Sequence, residues 1–272
     1  MRTRQLRQDP ARGFSLIELM VVIVMISLVM AAVLSQVRQV QQRSTAEQGR
    51  VDDFQQARDF MAQVVRDGRQ MGYPNSHNYD TSNTTLWPTA TPLINDSRIA
   101  AGLIKLTPTE LDFGGDMDGS GSVEIVSYKI NGDGLCAQCM ERAQIVKITG
   151  SPLTQATTIA AANYVQEVQN VQNSASAAAP IFSAFDASGA QIPLGTGIDI
   201  NASPTTVAKV RAIRVNLDVA NPTSIDPQTK KRLESDITGT IQIVNCSMAT
   251  TQGTLAAAGI TSPGYVNLAC QP

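Results

Sequence analysis

Aromatic residues are scarce in this 272-residue chain, at 4% of positions, with one tryptophan and one histidine. Surfaces that stack bases or sugars are therefore not expected to dominate it. The single histidine, His77, lies among Asn, Ser and Tyr and reads as a solvated loop residue. Charge is also sparse: 16% of residues, against about 25% in an average globular protein, with Lys plus Arg at 21 and Asp plus Glu at 23. A net charge of −2 gives no electrostatic reason for direct nucleic-acid binding and none for an acidic solvating tail. No GxSxG, P-loop or HExxH motif occurs, and no dinucleotide fingerprint follows a strand, so an enzyme is not expected. The pair Asp52-Asp53 reads as solvated carboxylates on a polar helix face. Proline is missing from Phe14 to Tyr73. Nothing in that stretch need break a helix.

What the chain does have is unevenly placed. Residues 1–13 carry Arg2, Arg4, Arg7 and Arg12 against Asp9 alone. Residues 14–34 follow as FSLIELMVVIVMISLVMAAVL, whose single charge is Glu18. A helix of that length is about 30 Å long and matches the hydrocarbon core of a bilayer. The preceding arginines place its N-terminal side in the cytoplasm and the rest of the chain outside. A secretory signal would have a shorter apolar region and a small-residue cleavage site. Ala31-Ala32 imitates such a site only weakly, so a retained anchor is the better reading. Glu18 costs several kcal/mol in that setting unless it is paired, hydrated or protonated.

Gly13-Phe14-Ser15-Leu16-Ile17-Glu18-Leu19 resembles the type III signal of type IV pilins and pseudopilins: a basic leader ending in Gly, then Phe, with Glu fifth after the junction. The resemblance implies that prepilin peptidase cuts between Gly13 and Phe14 and methylates the Phe14 amine. It also implies that the mature helix packs into a filament, with Glu18 pairing the Phe14 amine of a neighbouring subunit and fixing axial register. A carboxylate solvated at the headgroup level is the plainer reading of Glu18. Major pilins usually carry Pro at the twenty-second mature position. Here that position is Ser35, which tilts the resemblance toward a minor pilin or pseudopilin.

Beyond the membrane the helix is expected to continue over residues 36–71, with Val51, Phe54, Met61, Val64, Val65, Gly68 and Met71 on one face. Arg50, Asp52, Gln56, Asp59 and Arg66 fall opposite, and Gly72 and Pro74 end the helix. The segment from Phe54 to Tyr73, ending Gly-Tyr, is similar to the PilW-type minor pilins. Residues 74–105 read as a polar connection. Strands are expected at Leu103–Leu106, Leu111–Phe113, Val123–Ile130, Ala143–Thr149, Val207–Val219 and Ile237–Val244, with a turn at Asn131–Gly134. Tyr164, Val165, Val168 and Val171 give a short amphipathic-helix signal. Pro222 to Glu234 reads as a hairpin loop.

Four cysteines, Cys136, Cys139, Cys246 and Cys270, lie on the side where disulfides form. Three pairings exist. Proximity favours Cys136 with Cys139 and Cys246 with Cys270, the latter resembling the C-terminal loop that many pilins staple and contributing roughly 3 kcal/mol. A four-cysteine zinc site and a redox CxxC are rivals, each lacking its usual context. Asp116-Met-Asp118-Gly-Ser120-Gly121-Ser-Val123-Glu124 resembles the first half of an EF-hand calcium loop. Oxygen ligands fall at loop positions one, three, five and nine, with Gly at six. Position twelve is Ser127 rather than Glu, so a Gly-rich turn with solvated acids is the alternative to a Ca²⁺ site at Asp116, Asp118, Ser120 and Glu124.

The expectation is an α+β pilin fold: a leader at 1–13, a membrane or filament-core helix at 14–35, its amphipathic continuation at 36–71, and a globular domain at 72–272 on an antiparallel sheet. The resemblance implies a minor pilin in the inner membrane that joins minor and major pilins at the assembly platform. It would prime the pilus, remain at its tip, and serve motility, attachment and DNA uptake indirectly. A J-type pseudopilin of type II secretion and a tip adhesin are the alternatives.

Overall fold

A computed structural model of the chain describes residues 15–74, 93–131, 136, 138–173, 180–220, 222, 224–226 and 229–244. Its dominant element is the helix α1, Leu16–Gln70, 55 residues without a break and about 80 Å long. Every side chain from Ser15 to Gln42 is exposed. From there α1 lies on the globular part and buries Ala46, Asp53, Ala57, Phe60, Met61, Val64, Asp67 and Gly68. The stripe 53–57–60–64–67–71 advances by alternating steps of four and three, the spacing of one helix face. It is rotated from the expected one: Val51 is 50% and Phe54 42% exposed. Asp53 is buried, not solvated as its pairing with Asp52 suggested. The Asn170 amide donates to its Oδ1 at 3.4 Å.

Strands β1 (Gly102–Leu106), β2 (Glu110–Gly115), β3 (Glu124–Ile130), β4 (Met140–Val146), β5 (Tyr164–Val168), β6 (Phe182–Phe185), β7 (Gln191–Ile192), β8 (Ile198–Asp199), β9 (Ala212–Val219) and β10 (Ser235–Gln242) make two antiparallel sheets. Their orders are β5-β4-β3-β2-β1-β8 and β10-β9-β6-β7. A bridge between Val171 and Val219 joins them, reinforced by the Gln172 amide donating to the Asp218 carbonyl at 2.8 Å. Two six-residue helices, α2 (Pro152–Thr157) and α3 (Pro204–Lys209), fill connections and begin with proline in the first turn, where its missing N–H costs nothing.

Two expected elements change type. The helix signal at Tyr164, Val165, Val168 and Val171 is the edge strand β5 and the bridge after it; Tyr164 pairs Ala143, and Val165 pairs Arg142. β-Branched residues suit a pleated edge better than a short helix. The strand expected from Val207 instead starts at Ala212, because Pro204 opens α3 and that helix runs to Lys209. Residues 75–92 of the connection expected at 74–105, His77 among them, and Gly132–Gly134 of the turn lie outside the described residues.

The helix is seated by close packing. Phe60 meets the edge of Tyr128 on β3 with centroids 5.5 Å apart, and Phe113 of β2 stacks behind it at 6.2 Å. A Cβ on Gly68 would overlap Ile241 of β10, and one on Gly239 would overlap Met61 of α1. These two glycines set how closely β10 approaches the helix. On β2, burial leads and Glu110 adds to it in raising the Asp112 carboxyl to about 7, from an ordinary 3.8. A folded pKa above the unfolded one means stability present at low pH and lost as pH rises through about 7. Between pH 5 and pH 8 the loss from this group is about 2–3 kcal/mol. Thermal melting across that range should show the decline, and Asp112→Asn should flatten it; an equally steep profile in the variant would exclude Asp112 as its source.

Candidate functional site

The exposed half of α1 is the first candidate. Its apolar part contains an 18-residue window of mean hydropathy 2.8, none of it buried, and is long and apolar enough to cross a membrane. β-Branched Val and Ile are mediocre helix formers in water, but in a bilayer the helix satisfies every backbone group internally. Glu18 occupies the first turn of α1. Near it Ile17 is 70% and Leu19 56% exposed. A carboxylate on such a surface is stable where a cation or water reaches it. The N-terminus of a helix is also the favourable end for an anion. Gly13 and Phe14, the expected processing residues, lie outside the described residues.

The acidic connection between β2 and β3 is the second. Gly115 pairs Glu124 across the ladder, so residues 116–123 form the loop and Glu124 begins the return strand. The Gly121 amide donates to Asp116 Oδ2 at 2.9 Å, the Ser120 amide to Asp118 Oδ1 at 2.9 Å, and the Met117 amide to Glu124 Oε2 at 3.0 Å. Gly119 and Gly121 take positive φ of 72° and 85°, which an L side chain resists. One carboxylate oxygen from each of Asp116, Asp118 and Glu124 lies within 4.8 Å of the others. Hydrogen bonds from Ser120 hold the Asp118 carboxyl below the usual range, whereas burial raises that of Glu124, with Asp118 and Asp116 adding to the rise. Ser120 is brought to the same loop. Ser127 is not: it is buried in β3 with its hydroxyl 3.1 Å from that of Tyr164.

This loop also grips the end of α1. The Gly72 amide donates to the Gly114 carbonyl at 2.9 Å, the Asp116 amide to the Tyr73 carbonyl at 2.8 Å, and Met71 bridges Gly115. With its amide oriented to satisfy both, Gln70 donates to the carbonyls of Asp116 at 2.9 Å and Met117 at 2.7 Å. Of the cysteines, Cys136 and Cys139 form a disulfide with Cα atoms 5.7 Å apart. Cys246 and Cys270 lie outside the described residues.

Two buried polar groups escaped the sequence. Asp67 of α1 accepts from Tyr128 Oη at 2.7 Å and from Arg142 Nε at 2.9 Å, with Arg142 Nη2 at 2.8 Å. Burial, followed by the Asp67 charge, pushes the Tyr128 phenol up. The signal was there: Asp67 falls on the buried stripe, three after Val64. Lys147 donates through Nζ to the carbonyls of Ile94, Asp96 and Ile99 at 2.5–2.6 Å. Burial lowers it to about 8, with Asp96 acting against. Nothing in its spacing announced three carbonyls from residues about fifty positions upstream.

Helix and sheets together define an α+β protein consistent with the type IV pilin fold: a long apolar N-terminal helix whose distal half lies on antiparallel sheets. The model of the prokaryotic N-terminal methylation motif matches residues 10–34. That match supports a type IV pilin or pseudopilin role, anchorage in a membrane, dealings with prepilin peptidase and other pilins, and a structural protein rather than an enzyme. No curated protein and no solved structure matches the chain.

Proposed function

We propose that the chain is a minor pilin of a type IV pilus. The observation that carries this reading is the coincidence of the methylation motif, matched at residues 10–34, with an unbroken helix from Leu16 whose apolar run carries one acid, Glu18. Prepilin peptidase cuts between Gly13 and Phe14 on the cytoplasmic side, and the new Phe14 amine is methylated. The mature chain stands in the inner membrane with residues 72–272 outside it, and enters a subcomplex with other pilins at the assembly platform. Glu18 pairs with the Phe14 amine of a neighbour. Any other stagger leaves a carboxylate alone among aliphatic side chains, so the pair selects one axial register.

The continuity of α1 through Ser35 favours a minor subunit over a major one. The helix end at Gln70, followed by Gly72-Tyr73, supports the PilW-type likeness. A J-type pseudopilin of type II secretion uses the same helix, and the continuity of α1 suits it equally. Affinity purification of the full chain from its own membranes should recover other pilins and separate the two readings. Recovery of pilus subunits supports the minor pilin, secretion pseudopilins the alternative, and no pilin-like partner contradicts both.

A further inference from the structure

The acidic loop joins the core to the end of the long helix, and its charges are not balanced by the hydrogen bonds it makes. Asp116 is 6% exposed. Its Oδ2 accepts from the Gly121 amide, but its Oδ1 is buried and, among the described residues, accepts from no donor. A buried carboxylate oxygen without a donor carries a desolvation penalty, larger when the group is ionised. The groups that converge with the Asp116 carboxylate are the acids Asp118 and Glu124. They compound the problem and point to its solution, because three converging carboxylates, one of them buried with an oxygen that lacks a donor among the described residues, suit a cation.

We infer that Asp116, Asp118 and Glu124, with Ser120, bind a calcium ion in the loop between β2 and β3. All four side chains offer oxygen, which selects a hard cation over zinc or copper. Two ligands come from the loop's exposed side, Asp118 and Ser120, and two from buried positions, Asp116 and Glu124. Calcium accepts six to eight oxygens in irregular geometry, so loop carbonyls and water complete the set; magnesium demands a tight octahedron. Lacking the bidentate twelfth ligand, because Ser127 is committed to Tyr164, the loop falls in the weak class of extracellular sites, about 10⁻⁴–10⁻³ M. The loop backbone is tied to Gln70, Met71, Gly72 and Tyr73. An ion there fixes the sheet to the C-terminal end of α1, where the helix dipole also favours positive charge. This inference goes beyond the pilin reading and stands independently of it.

The test uses the full chain in nonionic detergent, stripped with chelator and titrated with calcium chloride while calcium uptake and the melting midpoint are followed. The expected result is saturable uptake of one ion per chain. At tenfold over the dissociation constant the midpoint should rise by about 3–6 °C. Asp118 is exposed, so Asp118→Asn should melt like the parent in chelator yet need at least tenfold more calcium. Asp116→Asn should lose the calcium response while melting in chelator no lower than the parent, since one of three crowded charges is gone. Identical midpoints in calcium and chelator, an unchanged titration in Asp118→Asn, or an equal response to magnesium would each overturn the assignment.

Discussion

Glu18→Ala should leave the chain inserted in the membrane and reduce its recovery with other pilins by about tenfold or more. Removing an acid from the apolar run makes insertion easier, because a carboxylate at membrane depth costs a few kcal/mol. Association moves the opposite way. In the proposed packing of apolar helices the Glu18 carboxylate and a neighbour's Phe14 amine would neutralise each other. Deleting one partner strands the other, at about 3–5 kcal/mol for a buried pair. Glu18→Asp keeps the charge but shortens the reach and should fall between the two. Membrane fractionation followed by quantitative copurification separates insertion from assembly. Unchanged recovery of pilins in Glu18→Ala would remove Glu18 from the assembly contact and leave it a solvated headgroup-level acid.

Asp67→Ala should lower the stability of the globular part by about 3 kcal/mol or more, a fall of about 6–12 °C in melting midpoint. Asp67 takes three donor contacts from Tyr128 and Arg142, and its own side chain is only 10% exposed. Alanine at this position leaves the Tyr128 hydroxyl without its acceptor and the Arg142 guanidinium, itself 16% exposed, without its counterion. Asp67→Asn retains one acceptor oxygen and should lose less. Replacing Asp67 and Arg142 together by apolar residues of similar volume should cost less than the sum of the single changes, because no charge is then stranded. The measurement is thermal melting of the full chain in detergent. A loss below about 1 kcal/mol for Asp67→Ala would mean that the network is not what holds α1 to β3 and β4.

The exposed half of α1 was legible because its signals are local. An apolar run, a basic flank and an acid at a fixed offset need no tertiary knowledge. The distal half was legible as a helix but misjudged in rotation. Val51 and Phe54 looked like core by hydrophobicity, whereas the buried stripe passes through Asp53 and Asp67. Side-chain chemistry alone cannot say that a carboxylate will meet a tyrosine and an arginine brought by β3 and β4. β5 was misread because Tyr164 and its valines serve either period, and only the free edge of β4 decides between them. The short strands β7 and β8, two residues each, carry no pattern of their own and exist through their partners. The acidic loop was legible as a motif. Its burial, and the Asp116 oxygen that has no donor among the described residues, became visible only with the helix end packed behind it.

Mass spectrometry of the intact chain recovered from its native membranes tests the pilin reading most directly. The expected result is a mature polypeptide beginning at Phe14, with one methyl group on its amine and the thirteen leader residues removed. A native polypeptide still beginning at Met1, or one cut after Ala32, would contradict it.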